Sequence, residues 1–271
     1  MSGWPEPEWL APESLEDALR LRAERADATV LAGGTFLGIL LNQGFLTPSA
    51  FLSLQRVPGL DRIELDDDAL RLGALVTHRA VELSPLVGTR WPALAQTFGA
   101  VASPRVRNQA TVGGVLADAD YASDPPTTLT ALEARAVVRS VHGEREIPID
   151  ELIAGHYETT FDVDELIVAV VVPGGDLRAT YRKFRTRSHE DRPCVGVAAV
   201  RRPHGLRVVV GAVAHRPQLL PELCDQGASP DEIGRAYAAA IEPIADVRGS
   251  AEYRKRVIAV EVRRALEELA A

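Results

Sequence analysis

Short apolar runs alternate along the chain with glycine, proline and polar clusters, and their period switches repeatedly between that of a helix and that of a strand. Ser14, with an acid three residues on at Asp17, caps a helix whose Leu15, Ala18 and Leu19 share one face. The run 28–32 reads as a short buried strand, Gly33-Gly34-Thr35 turns the chain, and 36–41 suits a helix. Strands are expected at 50–54, 62–65 and 69–72, then a helix from the Thr77 cap to about Leu83 and another over 91–101. Residues 103–114 read as a loop that ends in a second double glycine, Gly113-Gly114. A helix over 126–132 and strands over 136–141, 144–147 and 165–172 lead to Pro173-Gly174-Gly175, which marks a domain boundary. Beyond it, strands over 179–184, 194–201 and 206–213 precede helices over 230–241 and 250–269, the order of helices packed on one face of an antiparallel sheet.

With 271 residues, nearly half of them apolar, the chain can bury a large core and still form a cofactor crevice. A net charge of −8, with basic residues scattered among acidic ones, argues against nucleic acid as a partner. No apolar run is long enough to span a bilayer, and the N-terminus lacks the basic start and apolar stretch of a signal peptide, so a cytoplasmic location is expected. The two cysteines, Cys194 and Cys224, lie far apart in sequence, too few for an iron–sulfur cluster held by this chain alone. The histidines show no metal-ligand spacing, and no nucleophile–base or paired-carboxylate arrangement stands out. Neither a metal site nor a catalytic residue is assigned. Any redox chemistry must then belong to an organic cofactor.

The two double glycines carry the chemical signal. Glycine allows a close backbone approach, so consecutive amide N–H groups can converge on an anion, and two such turns can clamp a diphosphate from both sides. Neither turn completes G-x-G-x-x-G, and no G-x-x-x-x-G-K-[ST] is present, which disfavours a dinucleotide-binding Rossmann unit and a phosphate-binding P-loop.

Val30-Leu-Ala-Gly-Gly-Thr-Phe-Leu37, together with Pro104-Arg-Val-Arg-Asn-Gln-Ala-Thr-Val-Gly-Gly114 and Asp124, resembles the two flavin-binding signatures of the medium subunit of the carbon monoxide dehydrogenase and xanthine dehydrogenase family. The opening segment 11–18, Tyr181-Arg-Lys-Phe-Arg-Thr-Arg187 and the closing segment 246–254 match the same family, so the resemblance spans nearly the whole chain. It implies an α+β protein. Residues 1–175 would form an FAD-binding domain of the vanillyl-alcohol-oxidase type, with subdomains of about 1–55 and 56–175. Residues 176–271 would form the small antiparallel sheet and helices of the flavoprotein C-terminal domain.

By the same resemblance, Ala32, Gly33, Gly34, Thr35 and Phe36 run along the FAD diphosphate and flavin edge, and Thr111 with the Gly113 and Gly114 amides closes over the phosphates. Asp124 is expected at the adenosine part and Lys183 beside the flavin, with Ile167, its neighbour Leu166, and Val101 packing around the rings. Phe36 stands where the family commonly has an acid and Val115 where it commonly has an asparagine; residues 118–121 also depart from the usual small, proline-containing stretch. Each exchange removes a polar contact to the cofactor, while backbone donors are indifferent to side-chain identity. Arg105 and Arg107 face either a phosphate or a partner, Tyr121 and Tyr157 either stack on a ring or serve as core or surface residues, and Glu190 and Asp191 lie in a loop that in relatives passes near the flavin. The residues alone leave these open.

The implied function is electron transfer. Electrons from a molybdopterin-binding large subunit pass through a 2Fe-2S small subunit to the FAD of this chain, and on to NAD, a quinone or oxygen. Two other functions suit the same residues, a stand-alone flavoprotein oxidoreductase and a scaffold of this fold that has lost its flavin.

Overall fold

The computed structural model describes residues 6–203, 205–224 and 227–271; the opening residues 1–5, on which the expected lack of a secretion signal partly rests, lie outside them. The first helix, α1 (Leu15–Glu24), starts where Ser14 Oγ accepts the Asp17 N–H at 3.1 Å, with Glu16 and Asp17 in its first turn. It connects β1 (Glu8–Leu10) to β2 (Thr29–Leu31), and α2 (Leu37–Asn42) connects β2 to β3 (Ala50–Ser53). The three strands pair in parallel in the order β1-β3-β2, which leaves the wholly buried β3 in the centre. β1 is too short to show in the hydrophobic pattern.

The second sheet begins with β4 (Ile63–Asp66) and β5 (Ala69–Gly73). A helical insertion follows: α3 (His78–Leu83), α4 (Pro85–Arg90), α5 (Pro92–Gly99), α6 (Pro104–Arg107), α7 (Val112–Asp118) and α8 (Pro125–Ala131). The chain returns as β6 (Arg135–Ser140) and β7 (Gly143–Pro148), passes through α9 (Ile149–Leu152) and the small hairpin β8 (Ile153–Gly155) and β9 (Glu158–Thr159), and ends in β10 (Leu166–Val172). The strand order β4-β5-β10-β6-β7 puts the apolar β10 at the centre, paired antiparallel on both sides. Two expectations change here. The helix expected over 91–101 stops at Gly99, and the loop expected over 103–114 contains α6 and the first turn of α7, whose prolines and glycines mask the helical period.

The third sheet is an antiparallel meander of β11 (Arg178–Phe184), β12 (Val195–Arg202), β13 (Gly205–Gly211) and β14 (Gln218–Leu219). Helices α10 (Pro230–Ala240) and α11 (Ala251–Ala270) cover one face. The other face is covered as well: Val197 and Ala199 join Tyr237, Ile258 and Val262, whereas Ala198 and Val200 join Leu94, Phe98 and Leu129. Burial of successive residues on opposite faces explains why 194–200 is apolar throughout instead of alternating. It also means that the main core continues from the second sheet, through α5 and α8, into the third. Among the described residues no helix is long and apolar enough to cross a membrane.

Arg254 of α11 is fully buried at the seam between these layers. Its guanidinium donates to the Ala212 carbonyl at 2.9 Å and to Asp246 Oδ1 at 2.7 Å, while Asp246 also accepts from Arg248 and from Tyr121 Oη at 2.6 Å. A buried ion pair of this kind contributes little against an apolar substitute, but losing one member is costly. Arg254→Ala is expected to lower unfolding stability by about 3 kcal/mol, read as a reduced urea midpoint at unchanged slope.

Candidate functional site

Between β2 and α2 the chain turns with Gly34 at φ +68°, a conformation that suits glycine. The amide N–H groups of Gly33, Gly34, Thr35, Phe36 and Leu37 donate to no acceptor among the described residues, and helix hydrogen bonding starts only with Gly38 N to Gly34 O at 2.8 Å. Such a run of free donors is unusual within a folded wall and is the makings of an anion cradle. Gly33 has a second role: a Cβ there would run into the carbonyl oxygen of Gln109, so this turn lies directly against the segment leading into α7. The two glycine-bearing segments are neighbours.

They share a cleft of about 640 Å³, the size of a cofactor site. Ala32, Gly33, Gly34, Thr35 and Phe36 line it from the first turn, Thr111, Gly113, Gly114 and Val115 from the second, and Val101, Asp124, Ile167, Leu166 and Lys183 from the surrounding elements.

The second turn does not work as expected. Gly113 N donates to Ala74 O at 2.8 Å, Val112 N to Val76 O at 2.9 Å, and Gly114 N to the Thr111 hydroxyl oxygen at 3.1 Å. Its amides are therefore engaged and cannot close over a phosphate. The glycines serve packing instead, because a Cβ at Gly113 would stand 2.7 Å from Ala74 Cβ and one at Gly114 2.8 Å from Thr111 Oγ1. Thr111 still lines the cleft from this wall, and its hydroxyl keeps its own proton to donate.

Asp124 and Lys183 cannot sit at opposite ends of a dinucleotide, since they are paired. Lys183 Nζ donates to Asp124 Oδ2 at 2.9 Å and to Ala100 O at 2.8 Å, and Tyr181 Oη donates to Asp124 Oδ1 at 2.5 Å. Burial raises the pKa of Asp124, opposed by Lys183, and burial lowers that of Lys183, opposed by Asp124. The pair presents no net charge to the cleft. Tyr181, buried and part of the family-like segment 181–187, was not expected at the site; only its alternation with Lys183 on one strand hinted at a shared face.

Arg107 faces neither phosphate nor partner. It is buried, donating to Glu82 Oε2 at 2.9 Å, Val101 O at 2.9 Å and Ala102 O at 2.8 Å, and so holds the bend at Ala102, φ +42°, that presents Val101 to the cleft. Phe36 stacks on Tyr157 with ring centroids 5.4 Å apart, and Tyr157 on His156 at 3.8 Å; Tyr121 meets His156 edge-on. Glu190 lines the cleft, whereas Asp191 turns back to the Ser188 N–H at 3.1 Å.

The cleft is also lined by Asp118 and Asp120, from the stretch that departs from the family pattern, and by Arg22, Asp27, Glu165 and Arg192, which the pattern did not single out. Arg192 pairs with Asp120, and Arg22 donates to Ala28 O at 2.9 Å. Lys183 and Arg192 are both paired with carboxylates, so of the lysines and arginines on the described walls only Arg22, which donates to a neutral carbonyl, keeps its charge without an ion-pair partner.

His78, buried at the back of the cleft, was passed over because it lacks ligand spacing. Its Nε2 lies 3.2 Å from the Thr111 carbonyl, which can only accept, so Nε2 carries the proton and Nδ1 is bare and unpartnered. Burial pushes its pKa down from 6.5 to about 4. The unfolded chain takes up this proton first, so the stabilisation is complete above about pH 6.5 and is lost as the pH falls toward about 4, on the order of 3 kcal/mol in all. Urea midpoints measured across that range should fall for the native chain and fall less for His78→Gln, whose amide nitrogen can still donate to Thr111.

Residues 5–175 match the family model of the FAD binding domain in molybdopterin dehydrogenase, and residues 179–269 that of the CO dehydrogenase flavoprotein C-terminal domain. The chain is 35% identical to the 6-hydroxypseudooxynicotine dehydrogenase complex subunit alpha of Paenarthrobacter nicotinovorans, over 97% of this chain and 94% of that one. It is 30% identical to the carbon monoxide dehydrogenase medium chain of Hydrogenophaga pseudoflava, over 97% and 96%. In structure it is similar to carbon monoxide dehydrogenase from Hydrogenophaga pseudoflava, with TM-score 0.92, 29% identity and coverage of 97% and 96%. Quinoline 2-oxidoreductase from Pseudomonas putida 86 gives TM-score 0.90 and 27% identity, with coverage of 99% and 98%. The free amides of the first turn and the size of the cleft suit the diphosphate of the cofactor this family binds, and the chain is an FAD-binding medium subunit of the molybdopterin dehydrogenase family.

Proposed function

We propose that this chain carries electrons between an iron–sulfur partner and an external acceptor, with FAD held chiefly by the amides of Gly33 to Leu37. Bound FAD supplies a ring able to exchange electrons singly with a metal centre and in pairs with an organic acceptor. The chain's own residues bind and orient it. In this reading the amide run takes the diphosphate, the Thr111 hydroxyl adds a donor from the facing wall, and Val101 and Ile167 flank the rings and keep water out. The Asp124–Lys183 pair offers a fixed dipole, not a bare cation, which moderates any stabilisation of negative charge in the cleft.

The observation that carries this reading is the run of unpaired amides that lines the cleft. These amides belong to partly buried residues that line the cleft, so their N–H groups are open to an acceptor that arrives from outside. We further propose that residues 1–175 form the cofactor-binding unit, with subdomains of about 1–55 and 56–175, and residues 176–271 a second unit packed against it. The partners are a molybdopterin-binding large subunit and a 2Fe-2S small subunit. NAD, a quinone or oxygen is the acceptor, and the assembly works in the cytoplasm, in keeping with two free cysteines.

The purified chain should be yellow, with flavin absorption equivalent to about one FAD per chain; a colourless preparation that refuses added FAD would overturn the reading. Alone it should not turn over substrates of molybdenum hydroxylases, and turnover by the isolated chain would point to a stand-alone enzyme instead. Gly33→Ala forces the first turn off Gln109, and overpacking of this kind costs about 1–3 kcal/mol. Its expected signature is a preparation depleted in FAD with a lowered melting temperature.

A further inference from the structure

The cleft is also lined by two neighbouring acids with unequal partners. Asp120 is buried, pairs with Arg192 from the β11–β12 loop, and accepts the Ala122 N–H at 3.0 Å. Asp118, the last residue of α7, lines the same cleft half-buried, with no hydrogen bond or ion pair among the described residues. Its position is fixed. The next residue, Ala119, is left-handed at φ +45°, and its carbonyl accepts the N–H of Tyr157, itself left-handed at φ +61°, at 3.0 Å. Two such conformations outside glycine, hydrogen-bonded to each other, fix the backbone that follows Asp118 at a conformational cost.

The charges around it disfavour ionisation. Asp120 is a like charge, the carbonyl end of α7 adds partial negative charge, and only Arg192 opposes them. Tyr157 and His156, from the β8–β9 turn, offer no strong opposing charge, because burial raises the phenol and lowers the imidazole, disfavouring the charged form of each. Burial first and Asp120 second push the Asp118 carboxyl up to about 7. A diphosphate brought into this cleft adds negative charge to a wall that already holds an uncompensated acid.

We propose that Asp118 takes up a proton when FAD enters the cleft, which makes the chain hold its cofactor more tightly at acidic than at alkaline pH. This rests on the reading of the cleft as the FAD site. The linkage has a definite sign: negative charge from the ligand raises the proton affinity of Asp118, so binding is strongest where the group is already protonated. The diphosphate of FAD has no ionisation near neutrality, so the ligand itself contributes no competing titration there.

The test uses the full chain stripped of flavin and titrated with FAD between about pH 5.5 and about pH 8.5, followed by quenching of flavin fluorescence. Affinity should fall several-fold from about pH 6 to about pH 8, by at most tenfold per unit, and calorimetry at pH 7 in two buffers of different ionisation heat should show net proton uptake. Asp118→Asn, close in shape and unable to ionise, should abolish both effects and bind at pH 8 as tightly as at pH 6. Arg192→Gln removes the opposing cation and should move the fall in affinity to higher pH. A native chain with pH-independent affinity, or an Asp118→Asn variant with the native pH dependence, would overturn the proposal while leaving the FAD site intact. A native chain that takes up no FAD at any of these pH values would remove the site, and this inference with it.

Discussion

The backbone contact between Gly33 and Gln109 is the constraint on which the cleft depends. It presses the turn after β2 onto the segment before α7, where any side chain at residue 33 would collide with the Gln109 carbonyl. That contact joins the parallel three-stranded unit to the helical insertion of the second sheet, and the amides left over on the first turn then face the space between them. Much of the remaining site is arranged around this junction. Arg107 fixes the Val101–Ala102 bend beside it, His78 ties Thr111 from behind, and Gly113 lets α7 lie against Ala74.

The two double glycines looked equivalent in sequence and are not. Glycine is required wherever a Cβ would clash, and an approaching ligand and a neighbouring strand impose that requirement alike. Only the destination of the N–H groups separates the cases. At Gly113 and Gly114 they end on Ala74 and Thr111 inside the protein; from Gly33 to Leu37 they end on nothing. A sequence records that glycine is needed but not which neighbour excludes the side chain, so a two-sided clamp was the natural expectation, whereas only the first turn leaves its amides free.

Elements with a strong period were legible at once. The Ser14 and Thr77 caps, the apolar β10 and the long α11 all lie close to where the pattern puts them. Short or masked elements were not: β1 is three residues long, and α6 opens on a proline inside what reads as a loop. Every residue assigned to the cleft lines it, because the resemblance fixed positions along the chain. Pairing between those residues was beyond its reach. Asp124 and Lys183 lie 59 residues apart in sequence, and nothing local announces their contact at 2.9 Å or the tyrosine that completes it.

The departures from the family pattern acquire a physical meaning in this geometry. Val115 donates its N–H to Thr111 O at 3.1 Å and lies partly buried against the core, so an apolar side chain suits the site it occupies. Phe36, in place of an acid, joins an aromatic stack with Tyr157 and His156 at the foot of the 118–120 wall, where another carboxylate would add to Asp118 and Asp120. Carboxylates crowded beside an anionic ligand repel it and one another unless some are protonated or paired. An aromatic ring at 36 and an arginine on Asp120 both reduce that crowding, and Asp118 is the one acid of this wall left without a compensating partner among the described residues. Residues 36 and 118–120 are thus linked through Tyr157, which stacks on Phe36 and donates its N–H to the Ala119 carbonyl at 3.0 Å.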